Sequence, residues 1–202
     1  MKVRASIPNH ENSTNFNIVA ESATQVGTTL ENLKAAVCGE TGASAKYTAC
    51  AAAAEEQGYG QIARLFKATA AAEQIHIGLE TGVILTMEPD YVKPEPPVVE
   101  GHETDLNLIA GAMGEIYETS DMYPSFIAKA IEEGETKAVQ VFTRAKLAEA
   151  VHAELYMQAY NDIDAADDNA YYLCPICGYI HKGDDFEKCP ICFCPAAKFT
   201  QF

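Results

Sequence analysis

Two Glu-x-x-His motifs, Glu73-x-x-His76 and Glu149-x-x-His152, lie 76 positions apart in this chain of 202 residues. Residues three apart share one face of a helix, so each motif directs a carboxylate and an imidazole the same way. A Gly-Glu pair lies upstream of each motif. Two such helices, with one further Glu from each of two others, supply the ligands of carboxylate-bridged di-metal sites in four-helix bundles. The pattern therefore predicts a four-helix bundle around two metal ions.

The two halves of the bundle repeat each other with one irregularity. With an offset of 76, Tyr47 matches Tyr123, whereas the upstream Glu40 and Glu115 are offset by 75. One extra residue therefore lies between Glu115 and Tyr123, and a helix commonly absorbs such an insertion as a π-bulge, often at a functional site. Glu118 lies in this stretch, and its counterpart in the first half is a Gly or an Ala without a metal-binding side chain. The halves are therefore predicted to differ at one ligand position.

Helix caps and breakers divide the bundle into two hairpins. Thr28 or Thr29 can cap the first helix, and short glycine connections at Gly58 and Gly134 join the helices of each pair. Four prolines between positions 89 and 97 exclude a helix there, so about 86–103 is predicted to be an extended crossover. A further proline at position 124 predicts a kink or local irregularity in the third helix. The predicted helices cover about 28–57, 61–85, 104–133 and 135–161.

The candidate ligands of the di-metal site are carboxylates and imidazoles, a set that suits iron or manganese. Several carboxylates packed in a core would repel each other, and cations remove that penalty. A single Glu-x-x-His on an Ala-rich helix is usually solvated surface, but the repetition and the apolar flanks favour metal here. The candidates are Glu40, Glu73, His76, Glu115, Glu118, Glu149 and His152.

Two tyrosines, Tyr47 and Tyr123, lie about two helical turns from Glu40 and Glu115. One interpretation makes them core aromatics with satisfied hydroxyl groups. The other makes them hydrogen-bond partners that orient a ligand carboxylate or a bound peroxide.

A second candidate metal site lies near the C-terminus. Cys174-Pro-Ile-Cys177 and Cys189-Pro-Ile-Cys192 are matched turns separated by 11 residues. Four thiolates in a tetrahedron suit either iron or zinc, so a structural zinc ribbon is the alternative. Iron is favoured because redox partnering with a di-metal site explains why one chain carries both. The predicted domains are an extension (1–27), the bundle (28–161), an acidic linker (162–170) and a metal-stapled β domain (171–202).

Composition restricts the partners and the compartment. The formal net charge of −15 gives no basic face for a nucleic acid. No apolar signal segment and no membrane-length apolar run occur, so a cytoplasmic protein without membrane contact is expected. The odd number of cysteines, 7, favours metal binding in a reducing compartment over disulfides. Cys38 and Cys50 on the first helix are expected to be small buried side chains.

Together these residues resemble rubrerythrins over about residues 28–202. The resemblance rests on several separate motifs: Cys38-Gly39-Glu40, Tyr47, Glu56-Gln57-Gly58-Tyr59, Glu73-Gln74-Ile75-His76, Gly114-Glu115-Ile116-Tyr117-Glu118, Tyr123-Pro124, Glu149-Ala150-Val151-His152, and the rubredoxin-like Cys174–Cys192 module with Gly178-Tyr179-Ile180-His181.

The resemblance implies a ferritin-like bundle with a non-haem di-iron site, followed by a rubredoxin-like Fe(Cys)4 domain. It also implies an oxidoreductase of anaerobes, a peroxidase that defends against oxidative stress by reducing hydrogen peroxide to water. Electrons would arrive from NAD(P)H through separate carriers, such as rubredoxin or a reductase, and the chain would form a homodimer or higher homo-oligomer. The alternatives are a ferritin-like protein that oxidises or stores iron, and an interaction module built on a zinc ribbon.

By position, the resemblance implies roles for the individual ligands. Glu40 and Glu115 correspond to terminal carboxylates, and Glu73 and Glu149 to bridging ones. His152 corresponds to a permanent ligand.

The other iron would move between Glu118 and His76 when its oxidation state changes, so both belong with Tyr47 and Tyr123 among the catalytic candidates. Two features depart from the family pattern. The segment between the cysteine pairs is one residue short, and Cys194 stands where a residue without a thiol is usual.

Overall fold

A computed structural model describes residues 23–165 and 168–202. Residues 1–22 of the predicted N-terminal extension, and residues 166–167 of the predicted linker, lie outside the described residues. The predicted all-α bundle followed by a small β domain is confirmed. The helices are α1 (Thr29–Glu56), α2 (Gly60–Met87), α3 (Thr104–Tyr117), a π-helix (Glu118–Met122), α4 (Tyr123–Glu132) and α5 (Thr136–Asn161), and the strands are β1 (Tyr171–Leu173), β2 (Ile180–Lys182) and β3 (Thr200–Gln201).

The first helix begins with the predicted cap. The Thr28 side chain accepts a hydrogen bond from the Glu31 backbone N–H at 3.3 Å, and the Glu31 carboxylate accepts one from the Thr28 N–H at 2.8 Å. This reciprocal capping box satisfies two backbone donors at the start of α1. The hairpin turns lie at Gly58 (φ 84°) and Gly134 (φ 76°), a left-handed conformation that glycine adopts without strain.

The third predicted helix contains the predicted π-bulge. The π-helix Glu118–Met122 separates α3 from α4 and absorbs the extra residue of the second half. Pro124 follows at the second position of α4, next to the irregular turn. The insertion thus explains why Glu115 and Tyr123 both face the interior although their spacing differs from that of Glu40 and Tyr47.

The segment between Met87 and Thr104 contains neither helix nor strand and joins the two hairpins. It packs against α1: a side chain at Gly101 would collide with the Ala49 carbonyl, so only glycine fits there. The Gln57 side chain at the end of α1 donates to the His102 carbonyl at 3.1 Å, which fixes the end of the crossover.

Two apolar clusters fill the bundle, one at each end. One contains Leu65, Phe66, Leu108 and Tyr156, and the other contains Leu33, Ile84, Phe126 and Phe142. Along α1, α2 and α5, the candidate metal ligands lie in sequence between the members of the two clusters. The candidate site is therefore in the middle of the bundle, with apolar packing on both sides.

The small domain is a three-stranded antiparallel sheet in the order β2-β1-β3. Tyr171 and Leu173 of β1 and Ile180 of β2 are buried and belong to the same apolar cluster as Leu65 and Phe66 of α2. The sheet thus packs directly on the bundle of its own chain.

Two further expectations concern the burial of Cys38 and Cys50 and a membrane-spanning helix. Cys50 is buried, as expected, but the expectation that Cys38 is buried is wrong, because Cys38 lies on the exposed side of α1. Among the described residues, no helix is both long enough and apolar enough to cross a membrane.

Candidate metal centres

The four long helices place their acidic side chains at one level of the bundle. Glu40 of α1, Glu73 of α2, Glu115 of α3 and Glu149 of α5 are all fully buried. Carboxylates with no exposed surface are rare unless they are paired or bind a cation, because removing their charge from water is costly.

Two overlapping groups of ligand atoms form within this level, and in each the atoms lie within 4.8 Å of one another. Both groups contain Glu73 and Glu149, which lie between the two positions. The first group is Glu40, Glu73, His76 and Glu149, and the second is Glu73, Glu115, Glu149 and His152.

Both imidazoles are oriented by backbone carbonyls of the small domain. Nε2 of His76 donates to the Cys177 carbonyl at 3.1 Å, and Nε2 of His152 donates to the Gly178 carbonyl at 2.9 Å. A carbonyl only accepts, so Nε2 carries the proton and Nδ1 is free to present a lone pair. Nδ1 of each histidine points at Glu149, at 2.6 Å in both cases. An outer hydrogen bond of this kind is typical of a histidine that binds a metal.

The hydrogen bonding at the centre is incomplete without a cation. With the histidine protons on Nε2, the buried atoms that no donor reaches include both carboxylate oxygens of Glu149, one oxygen each of Glu40, Glu73 and Glu115, and Nδ1 of His152. Buried polar atoms are nearly always paired, so this cluster is exceptional. All of these atoms are on residues of the two groups, and all can donate a lone pair to a metal. Two cations would satisfy them together.

The charges lead to the same conclusion. Burial raises the pKa of Glu40, Glu73 and Glu115 well above the ordinary value, and neighbouring carboxylates raise it further. Burial alone would lower the pKa of His76, but Glu149 and other carboxylates raise it overall. In the metal-free chain a proton on Nδ1 therefore compensates part of the negative charge. A metal ion in the same place compensates more of it.

The two tyrosines have the predicted hydrogen bonds as well as the predicted burial. The Tyr47 hydroxyl donates to Oε1 of Glu115, and the Tyr123 hydroxyl donates to Oε1 of Glu40. Each half of the repeat thus supplies a tyrosine that holds a carboxylate of the other half, which fixes the direction of that carboxylate.

Glu118 and Glu80 differ from the other acidic residues. Glu118, on the π-helix, is partly buried and belongs to neither group of close ligand atoms. Burial, together with Glu40 and Glu115, raises the pKa of Glu118 well above the ordinary value, so it lies near the centre. Glu80 was not predicted as a site residue, yet it is fully buried and its Oε1 lies within hydrogen-bond distance of the Tyr123 hydroxyl, at 3.0 Å. Its spacing of four from His76 on α2 is the signal that could have identified it.

The cysteine group has the arrangement of a four-thiolate metal site. Cys174, Cys177, Cys189 and Cys192 have sulfur atoms within 4.8 Å of one another, and none forms a disulfide. Sulfur–sulfur distances of 3.4 Å (Cys174–Cys192) and 3.5 Å (Cys177–Cys189) leave room for one ion at the centre. The backbone N–H groups of Ile191 and Cys192 donate to the Cys189 sulfur at 3.4 Å. Such donors favour the ionised thiolate that binds metal.

Comparison with known proteins gives the same picture for both parts of the chain. A model of the rubrerythrin family matches residues 31–160, and a model of the rubredoxin-like domain of rubrerythrins matches residues 172–200. Nigerythrin of Nitratidesulfovibrio vulgaris is 69% identical over 202 residues, which are 100% of both chains. Rubrerythrin-2 of Clostridium acetobutylicum is 34% identical over 185 residues, covering 86% of this chain and 96% of that protein.

Solved structures extend the likeness to three dimensions. The fully reduced, all-ferrous state of nigerythrin superposes with a TM-score of 0.91 at 69% identity, covering 100% of both chains. Reduced symerythrin from Cyanophora paradoxa shares the fold, with a TM-score of 0.59 at 16% identity over 83% of this chain and 100% of that one. The family match and the two donor sets confirm the predicted cofactors, two non-haem irons in the bundle and one iron on four cysteines. The chain is a member of the rubrerythrin family.

Proposed function

We propose that this protein is a peroxidase that reduces hydrogen peroxide to water at the bundle centre, with electrons supplied through the four-cysteine site. One observation carries the proposal: Cys177, a candidate ligand of the cysteine site, uses its own carbonyl to accept the Nε2 proton of His76. A single hydrogen bond therefore connects the two centres within this chain. A storage protein has no need of such a connection.

We propose different roles for the carboxylates. Glu73 and Glu149 contribute to both groups and would be the bridging ligands. Glu40 and Glu115 each belong to one group and are the terminal ligands, with His152 a permanent ligand beside Glu115. When bound, the two irons supply one electron each to cleave the O–O bond of peroxide.

We propose that His76 and Glu118 replace each other as ligands of the metal held by the first group. His76 lies within the first group, whereas Glu118 lies outside both groups, on the π-helix. An irregular turn with one extra residue is easier to rearrange than a regular helix. The exchange replaces a neutral ligand with an anionic one, so it favours the more oxidised and more positively charged state of the site.

Tyr47 and Tyr123 hold the two terminal carboxylates by hydrogen bonds from outside the metal groups. Each hydroxyl carries a proton beside one of these carboxylates, at the edge of the site. Burial raises the pKa of both tyrosines well above the ordinary value, so they remain protonated and act as donors.

The external partners follow from this electron path. The four-cysteine domain would receive single electrons from a carrier protein such as rubredoxin or a reductase, which is in turn supplied by NAD(P)H. All seven cysteines are unpaired, which suits a reducing compartment such as the cytoplasm. The family resemblance implies a homodimer or a higher homo-oligomer.

A stopped-flow experiment tests the proposal. The iron-loaded protein is reduced under anaerobic conditions, which bleaches the thiolate-to-iron absorption, and one equivalent of hydrogen peroxide is added. A peroxidase restores the absorption rapidly and releases no oxygen. Slow recovery with peroxide, or faster recovery with oxygen, would contradict the assignment.

The same preparation distinguishes iron storage. A ferritin-like storage protein would take up ferrous iron far beyond the three ions that the two sites hold, and would form a mineral in the presence of oxygen. Iron analysis after aerobic loading and gel filtration measures this uptake. We expect the content to stay at the level of the two sites.

A further inference from the structure

Glu80 has a position that the ligand assignment does not use. It lies one helical turn beyond His76 on α2, is fully buried, and belongs to neither group of ligand atoms. Its neighbours along the helix, Ile77, Val83 and Ile84, are part of the apolar cluster at that end of the bundle. A carboxyl group in such surroundings needs a specific reason to be there.

The contacts of Tyr123 identify the state of this carboxyl group. The Tyr123 hydroxyl is within hydrogen-bond distance of Oε1 of Glu80, at 3.0 Å, and of Oε1 of Glu40. A phenol has one proton, and an ionised carboxylate only accepts. Both hydrogen bonds can form together only if one of the two carboxyl groups carries a proton and donates it to the phenol oxygen.

The charge balance places that proton on Glu80 rather than on Glu40. Glu40 belongs to a metal group, and the four carboxylates of the two groups already balance two ferrous ions. The charged and titratable groups that act on Glu80 lie on α1, α2, α4, α5 and the crossover, and in the described part of the chain neither Lys nor Arg is among them. They are His76 on α2, Glu40 on α1, Tyr91 in the crossover, Tyr123 on α4 and Glu149 on α5.

The position is not repeated in the other half of the bundle. With the offset of 76, the counterpart of Glu80 is Tyr156. The Tyr156 hydroxyl pairs with Thr69, and Tyr47 donates to Glu115 with no second carboxyl group at its hydroxyl in the structure described. The three-residue chain Glu80–Tyr123–Glu40 therefore serves only one of the two metal positions, the one that contains His76.

We propose that Glu80 is a neutral carboxylic acid that supplies one of the two protons used in each peroxide reduction. This inference rests on the proposed peroxidase function. Hydrogen peroxide, two electrons from the donor and two protons give two waters. The Glu80 O–H bond breaks as a new O–H bond forms on Tyr123, and the original phenol proton passes by way of Oε1 of Glu40 to a peroxide oxygen, where it becomes part of a water and leaves Glu40 ionised. Glu80 then regains a proton from water. Burial raises the pKa of Glu80 from 4.5 to about 8, which agrees with a neutral group.

Infrared spectroscopy of the iron-loaded, reduced protein locates the proton without reference to activity. A protonated carboxyl group gives a C=O band apart from ionised carboxylates, and the band shifts in D2O. We expect this band in the native protein and its loss in Glu80→Gln, which preserves volume. Tyr123→Phe should keep the band at a shifted frequency, because the acid loses its phenol partner. A band that persists in Glu80→Gln, or its absence from the native protein, overturns the inference.

Peroxide kinetics test the use of the proton. Glu80→Gln should keep its iron content and slow single-turnover oxidation by about 10²-fold, the lower range for losing a general acid. Tyr123→Phe should slow the same step, and the solvent isotope effect of the native protein should fall in both. Tyr156→Phe is the matched control from the other half and should leave rate and band unchanged. A folded Glu80→Gln protein that loses iron would make Glu80 a ligand and overturn the inference.

Different results would reject the peroxidase assignment and the proton role of Glu80. If the native protein shows the Glu80 band but no peroxide turnover, the peroxidase assignment fails while the neutral state of Glu80 stands. If turnover is rapid and is unchanged in both Glu80→Gln and Tyr123→Phe, the peroxidase stands and the proton role is rejected. Should Glu80→Gln fail to fold, Tyr123→Phe decides by the same two measurements.

Discussion

His152 donates its Nε2 proton to the backbone carbonyl of Gly178 at 2.9 Å. The bond joins a candidate iron ligand of the bundle to the loop between the first two cysteines and β2. It also fixes the tautomer, so that Nδ1 faces the carboxylates. The small domain is therefore part of the outer support of the bundle site and not merely attached to it.

Replacement of Gly178 tests this support. Gly178 has φ 76°, and a Cβ there would collide with Nε2 of His76. We expect Gly178→Ala to keep both iron sites and to separate the small domain from the histidines. Each 1.4 kcal/mol lost in docking should slow electron transfer between the centres about tenfold. The measurement is the rate at which the cysteine site re-reduces the bundle site, monitored by stopped-flow absorption.

Gly183→Ala is the matched control. Gly183 has φ 89°, so an alanine there has the same left-handed strain of about 1–2 kcal/mol. A Cβ added at Gly183 would lie 3.5 Å from Oδ1 of Asp185, its nearest neighbour, which is an ordinary contact. Equal slowing in both variants would attribute the effect to backbone strain and not to contact with the histidines.

Glu73→Ala should empty at least one metal position and abolish peroxide turnover while the helices persist. The reason is that Glu73 contributes to both groups of ligand atoms. Iron analysis, circular dichroism and the peroxide assay measure the three outcomes. Glu56→Ala removes an exposed carboxylate at the end of α1 and should change none of them. Full iron occupancy in Glu73→Ala would show that the bridging role is misassigned.

Tyr47→Phe should weaken iron binding in acid. The Tyr47 hydroxyl lowers the pKa of Glu115 by donating to its ionised form, so removing the hydroxyl raises that pKa and lets protons compete better with iron. A hydrogen bond to a charged group contributes about 1.5–3 kcal/mol. The pH of half-maximal iron release should therefore rise by about one to two units. Tyr156→Phe, whose hydroxyl pairs with Thr69, should leave it unchanged.

The metal-free chain should lose stability as the pH rises from 4.5 to about 8. Glu80 has its pKa raised across this interval in the folded state, so the folded chain holds a proton that the unfolded chain has already released. Stability then falls with rising pH, by an amount on the order of a few kcal/mol. Urea midpoints at a series of pH values measure this slope, which should be smaller in Glu80→Gln. A slope of the opposite sign would exclude a raised pKa.

Much of the architecture could be predicted from the sequence because the signals are local. The caps, the glycine turns and the prolines define the helices, and the change of offset from 76 to 75 predicts the π-helix that is found at Glu118–Met122. The repeated Glu-x-x-His motif brings Glu73 and Glu149 into both ligand groups. In each case one element or one comparison between two helices is enough.

The remaining features depend on contacts between distant segments. The carbonyls of Cys177 and Gly178 contact the histidines because the small domain packs on the bundle. Cys177 and His76 are more than 100 positions apart in the sequence. In the sequence, Glu80 is one more acidic residue on a helix. Its position becomes informative only because Tyr123, on another helix, contacts it. Cys38 was expected inside because of its residue type, but its place on the helix circumference puts it outside.

The π-helix makes one half of the bundle chemically different from the other. A protein assembled from two copies of residues 29–87 would retain two Glu-x-x-His motifs and two tyrosines. It would have Gly42 or Ala43 where the natural chain has Glu118, and so would lack the carboxylate proposed to alternate with His76. The two halves repeat most of the ligand set, and the extra residue with Glu118 means that they are not interchangeable.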